Sequence, residues 1–302
     1  METISTNLND LSKKYHKPFL EWRTASLFGI SVLGSIASIY YYKTWIIHLP
    51  LIKRILFTSL MVLLNSIMSY LQFTVIHEAI HDNISNNRMV NNFFGFIASP
   101  WLGPLAQWKA IKLLHLEHHR YTNDKTKDPD MWASHDSWGG PKLILLRWMT
   151  IDLYYYKIYV QYIIKNRAYN HLLEYGVQCG LVYLVCGYFI THGFIQEAIL
   201  FWFISSRLAL IFLAFAFDFL PHHPHIITKA MDRYKTTFYL STPRVFRKII
   251  THIMMYHNYH IIHHLNPTVP YYKYGEYWDK YGNDLVKEYD VPMRNIFDLS
   301  SQ

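Results

Sequence analysis

"ILFTSLMVLLNSIMSYLQFTVI" (55–76) runs without a charged residue and is followed at once by "HEAIHDN" (77–83). A helix needs roughly 20 mostly apolar residues to cross the hydrocarbon layer of a bilayer, so 55–76 is long enough to span one. The run stops at His77, and His77 and His81 stand i and i+4 apart, on one face of the same helix. An apolar span thus delivers a pair of imidazoles to the membrane boundary.

Three further runs have this character, at about 24–42, 172–192 and 198–220. Glu174 lies early in the third, and Arg207 and Asp218 lie within the fourth. Charges at such depth are costly in lipid, so Arg207 and Asp218 are expected to face protein or a polar cavity. The runs pair into two hairpins. The expected fold is an all-α integral membrane protein with four transmembrane helices in two hairpins, interfacial helices and a His-rich cap, forming one domain over 1–302. Lys13, Lys14, Lys17 and Arg23 precede the first span, and the long segments 77–171 and 221–302 are also rich in Lys and Arg. The loop between spans three and four has neither, while the first hairpin loop carries Lys43, Lys53 and Arg54. On balance this places both termini and both long segments in the cytoplasm. An endoplasmic reticulum or bacterial inner membrane fits such a multi-pass chain. Two stretches are expected on the membrane surface: 91–108, broken by Pro100, Gly103 and Pro104, and the aromatic-rich 143–166, which contains Arg147, Asp152 and Lys157.

The net charge is +8, but it falls between apolar runs, which points to a membrane surface or an acidic protein and away from nucleic acid. Cys179 and Cys186 share one apolar run, which excludes a disulfide scaffold or a cysteine metal site. The first 23 residues are polar and contain no stretch resembling a cleavable signal peptide.

Of 18 histidines, most fall into four groups: His77 and His81; "HLEHH" with His115, His118 and His119; "LPHHPH" with His222, His223 and His225; and "HNYHIIHH" with His257, His260, His263 and His264. Spacing of i, i+3 and i+4 is expected to aim three imidazoles at one point from one side of a helix. The topology brings all four groups to the same membrane side. H-E-x-x-H by itself is the signature of zinc metalloproteases, in which the two His hold zinc and the Glu is a general base. A catalytic zinc takes three protein ligands, however, and some nine imidazoles are on offer here. Two metals with four or five imidazoles each account for them; residue type leaves iron, copper, nickel and zinc open. His16, His48, His135, His171 and His192 fall outside the groups and receive no role.

"HEAIH", "HLEHHRYTND" followed by "DPD", and "NYHIIHHLNPTVPYY" resemble the motifs of the membrane fatty acid desaturase and hydroxylase superfamily, over about 70–280. Within it, the H-x-x-H-H…N-D…D-P-D pattern, L-P-H after the last span and N-Y-H-x-x-H-H-L-x-P are most similar to carotenoid ring hydroxylases and ketolases. The resemblance implies a non-haem di-iron centre held by His77, His81, His115, His118, His119, His222, His260, His263 and His264. His223 stands where the family usually has Arg, which leaves open whether His222 or His223 binds. Asp218 is implied as a polar neighbour of the metal, and Glu78 and Glu117 as acceptors that orient imidazoles; Asp124, Asp128 and Asp130 are further acceptors of that kind. His225 and His257 are expected near the site without binding metal. The implied reaction is O2-dependent oxidation of an unactivated C–H bond in a long lipid, ending in a double bond or a hydroxyl.

No haem-binding H-P-G-G, Gly-rich dinucleotide fingerprint or cysteine cluster is present, so electrons come from an external donor, cytochrome b5-like or ferredoxin-like. Two rivals remain. A membrane zinc metalloprotease would need an aspartate ligand from a distant span, and the one candidate, Asp218, sits beside His222. A non-catalytic His-rich metal-binding or transport protein would place its ligands at mid-membrane rather than at the span ends.

Overall fold

The structure, a computed structural model, describes residues 17–298; Lys13 and Lys14, part of the charge reading above, and His16 lie outside them. Four helices are long and apolar enough to cross a membrane: Trp22–His48, Leu51–Ile80, Asn170–Thr191 and Ile195–Phe219. They match the four runs in the sequence.

The first hairpin is formed by α1 (Trp22–Thr44) and α2 (Leu51–Ile80), joined through a short 3-10 turn at Ile46–His48. At 1.5 Å per residue, α2 extends about 45 Å, well beyond a hydrocarbon layer of about 30 Å. Its outer-facing Leu56, Leu60 and Leu63 are exposed, whereas every residue from Thr74 to Ile80 is buried. The last turns of α2 therefore leave the lipid-facing zone and enter protein, carrying His77 with them.

Next come α3 (Arg88–Leu102) and α4 (Trp108–Tyr121). Pro100 was expected to break this stretch, but α3 continues through it and ends at Gly103. Pro100 still offers its carbonyl, which accepts the Trp202 indole N–H at 2.6 Å. Gly103 marks a close approach, since a Cβ there would lie 2.9 Å from that of Ser206.

The aromatic stretch forms two helices, α5 (Ile144–Met149) and α6 (Ile151–Asn166). Arg147 is not an interfacial anchor: it is fully buried, and its guanidinium donates to the carbonyls of Trp132, Ser134, Trp138 and Gly140. It thereby fastens the loop that follows Asp128–Asp130.

The second hairpin is α7 (Asn170–Thr191) and α8 (Ile195–Phe219). Ala198–Ile204 and Ala214–Phe219 of α8 are wound as π-helix, a form often found at functional sites. Arg207 and Asp152 pair at 2.5 Å, each nearly buried, so the charge within α8 faces protein as expected.

Beyond the spans, a cap is completed by α9 (Arg247–Ile253), α10 (His260–Leu265) and α11 (Tyr274–Tyr289). The strands β1 (Tyr239–Ser241) and β2 (Met293–Asn295) pair in parallel, tying the end of the described chain back onto the cap. The main core packs the end of α2 against α3, α4 and α8, and a second core of Tyr259, Ile261, Ile262, Tyr274 and Leu285 supports α10 from below.

Candidate metal centre

The last turn of α2 and its C-cap supply His77 and His81; α4 supplies His115, His118 and His119; the turn after α8 supplies His222; and α10 supplies His260, His263 and His264. Ligand atoms of His77, His81, His115 and His263 lie within 4.8 Å of one another, as do those of His118, His222, His260 and His264. His119 joins the first group, its Nε2 3.1 Å from that of His115 and 2.8 Å from that of His263.

Each H-x-x-H-H cluster is thus split between two points. The i, i+4 pair His115/His119 serves the first group and His118 the second; on α10, the pair His260/His264 serves the second and His263 the first. At 100° per residue, i and i+4 differ by about 40°, while the intervening residue lies about 100° from its neighbour, so it aims at a separate point. This corrects the reading that each helix aims its three imidazoles at one point.

Across the two groups, neighbouring Nε2 atoms stand 2.8–3.2 Å apart. For His118 and His263 the opposite ring edge is engaged elsewhere. His118 Nδ1 donates to Asp128 at 2.9 Å, with Asp130 at 3.2 Å, and His263 Nδ1 shares a hydrogen bond of 2.9 Å with the Tyr274 hydroxyl. With Nδ1 carrying the proton, Nε2 presents a lone pair to the next imidazole, and lone pairs buried at this range call for cations between them. A metal–nitrogen distance of about 2.1 Å puts ligands at right angles about 3.0 Å apart and tetrahedral ones about 3.4 Å apart. The observed spacing fits two ions with more than four ligand positions each, and the residues present fit such a group.

Burial pushes the imidazoles of His81, His115, His119, His222, His260, His263 and His264 well below the ordinary histidine range, and their neighbours' charges push the same way. They are held neutral, the form that binds metal. His118 is the exception: burial lowers its pKa, but Asp128 and Asp130 outweigh that and raise it to about 9. The two carboxylates favour positive charge on that ring.

The remaining candidates divide clearly. His222 faces the second group, its ring 4.8 Å from that of His118 and 4.9 Å from that of His264, whereas His223 turns away onto Phe219 and His135. Glu78 is fully buried, its Oε1 3.5 Å from His77 Nδ1 and its Oε2 accepting the Tyr271 N–H at 3.3 Å. Glu117 departs from expectation: it points to the outer side of α4 and pairs with Arg120 at 3.2 Å, because position 117 falls opposite 115 and 119 on the helix. Asp124 is likewise turned outward, capping its own loop through Thr126 and Lys127. His257 stacks on Phe217, and His225 Nε2 donates to the Asp218 carbonyl at 3.3 Å. Tyr274 went unnoticed in the sequence, where a single tyrosine in an aromatic-rich chain carries no signal; Tyr155, expected with Tyr154 and Tyr156 as an interfacial anchor, donates its hydroxyl to Asp130.

A narrow cavity of about 60 Å³ abuts the first group. Its inner end is formed by His115, Asp130 and Asp218, and its walls by apolar residues of α3, α4, α6 and α8. Through Leu105, Gln107 and Tyr156 it adjoins a wider crevice between α7 and α8, of about 410 Å³ and lined by Val182, Phe189 and Trp202.

The sequence pattern of the fatty acid desaturases matches residues 53–297. The chain belongs to the fatty acid desaturase family. It is also similar to the Delta 8-(E)-sphingolipid desaturase of Candida albicans, with 39% identity over 67 residues. That stretch covers 21% of this chain and 11% of the Candida protein. With its four apolar helices, this desaturase-family chain is a membrane protein.

Proposed function

We propose that this chain is a non-haem di-iron oxidoreductase that introduces a double bond into a long-chain lipid, using O2 and electrons from a separate donor. The observation that carries the reading is His115: it belongs to the first imidazole group and also lines a cavity whose walls are mostly apolar. A chain lying in that cavity meets the metal position with its carbon atoms. The similarity to a sphingolipid desaturase of Candida albicans supports desaturation of an acyl or sphingoid chain.

In this account His77, His81, His115, His119 and His263 hold one iron, and His118, His222, His260 and His264 the other. The irons supply O2 activation and the oxidising power for C–H cleavage. The protein's own residues bind, orient and exclude water. Asp128 and Tyr274 fix the ring orientations of His118 and His263, with Glu78 beside His77. Apolar walls at Ile111, Leu210 and Leu213 keep water from the oxidant and align the chain. The chain is one desaturase domain with the cap on the cytoplasmic side, where basic residues suit an acidic cytochrome b5-like or ferredoxin-like donor. Lipid enters sideways, through the crevice between α7 and α8.

Lipid mass spectrometry tests this in a host that makes both acyl lipids and β-carotene, supplied with both donor types, comparing the wild type with His118→Ala. Acyl or sphingoid chains lighter by two hydrogens only in the wild type are expected. Oxygen gained by an acyl chain or by the carotenoid would make the reaction a hydroxylation. No wild-type-dependent change, with no iron bound, would overturn the reading.

A further inference from the structure

Besides Asp130 and Asp218 beside His115, the cavity is lined by a second polar group, Gln107, Asp152 and Arg207. Arg207 is 9% exposed and Gln107 4%, and both retain unmet hydrogen-bonding capacity. The terminal nitrogens of Arg207 are engaged by Asp152 at 2.5 and 2.8 Å and by the Met149 carbonyl at 3.1 Å, but its Nε–H has no partner. The Gln107 Oε1 has none either, and its amide nitrogen meets only the Cys179 sulfur at 3.8 Å, a weak acceptor. Both residues line the cavity, and a buried donor and a buried acceptor without partners are each costly unless a bound group completes them.

From this pairing we infer that the cavity takes a lipid bearing a hydroxyl or secondary amide along its length, and that Gln107 and Arg207 recognise that group. Only a ligand group that both accepts and donates can satisfy Arg207 Nε–H and Gln107 Oε1 together; an ester or a bare hydrocarbon cannot. Asp152, bound on both oxygens by Arg207, holds the guanidinium in place. Gln107 also borders the crevice between α7 and α8, so the polar group would be read where the lipid passes inward. The distance from this point to the histidines then sets which carbon reaches the metal. The inference rests on the proposed lipid oxidation, but its recognition step is separate from the chemistry.

The test is competition for the full-length protein in nanodiscs against a photoactivatable acyl probe. Three competitors of matched chain length are compared: a plain methyl ester, a hydroxylated methyl ester and an N-alkyl amide. At least one of the latter two should compete about tenfold better than the plain ester, the value of one buried hydrogen bond. Which one does so distinguishes hydroxyl from amide. Gln107→Leu should abolish the ratio, as should Arg207→Lys, which keeps a cation for Asp152 but lacks the Nε–H. Equal competition in the wild type, or a ratio kept by both variants, overturns the inference. Iron content is measured on the same samples: a wild type without iron sinks the proposed function, while the competition ratio still decides recognition.

Discussion

Asp128 Oδ1 lies 2.9 Å from His118 Nδ1, with both side chains almost fully buried, and the other Asp128 oxygen accepts the Asn123 N–H at 2.7 Å. The carboxylate is thus fixed on one side by backbone and holds the imidazole on the other. Asp128→Asn keeps the shape and removes the charge. It should weaken metal binding at the second group by about 10- to 100-fold, read by chelator competition, while binding at the first group changes little.

His222 and His223 are adjacent in sequence but face opposite ways, so their alanine variants should part company. His222→Ala removes an imidazole from the second group and should lower the metal content of the purified protein towards half. His223→Ala should leave it unchanged. Equal losses from both would contradict the geometry.

Stripping the metal with a chelator leaves buried imidazole lone pairs facing one another, so the melting temperature should fall. Each site contributes about 2.7 kcal/mol when free metal stands a hundredfold above Kd. Differential scanning fluorimetry with and without chelator measures it, and an unchanged melting temperature would count against metal-linked stability.

The Arg207–Asp152 pair ties α8 to α6 in a nearly dry setting. Arg207→Met strands the carboxylate and should cost roughly 3–5 kcal/mol. Adding Asp152→Leu to that variant should recover most of the loss, because no unpaired charge then remains. Thermal unfolding of the two variants decides between this and a simple packing role.

The spans and the histidine groups were legible because both are periodic: apolar runs of bilayer length, and imidazoles at helical spacing. The division of His115, His118 and His119 between two points follows from the same spacing, yet it shows only once α10 is seen facing α4. Glu117 was misread because its side of α4 depends on where the helix docks. Arg147 looked like an interfacial residue, since sequence does not reveal that four carbonyls converge on it. Pro100 failed to break α3 because it lies near the helix end, and the actual stop is the close contact at Gly103. The choice between His222 and His223 needed the turn after α8, which no periodicity describes.

The measurement that bears most directly on the central claim is the metal content of the purified wild-type protein, by element-resolved mass spectrometry. The account predicts two iron ions per chain. A single zinc ion per chain, with no iron, would contradict it and return the H-E-x-x-H motif to its protease reading.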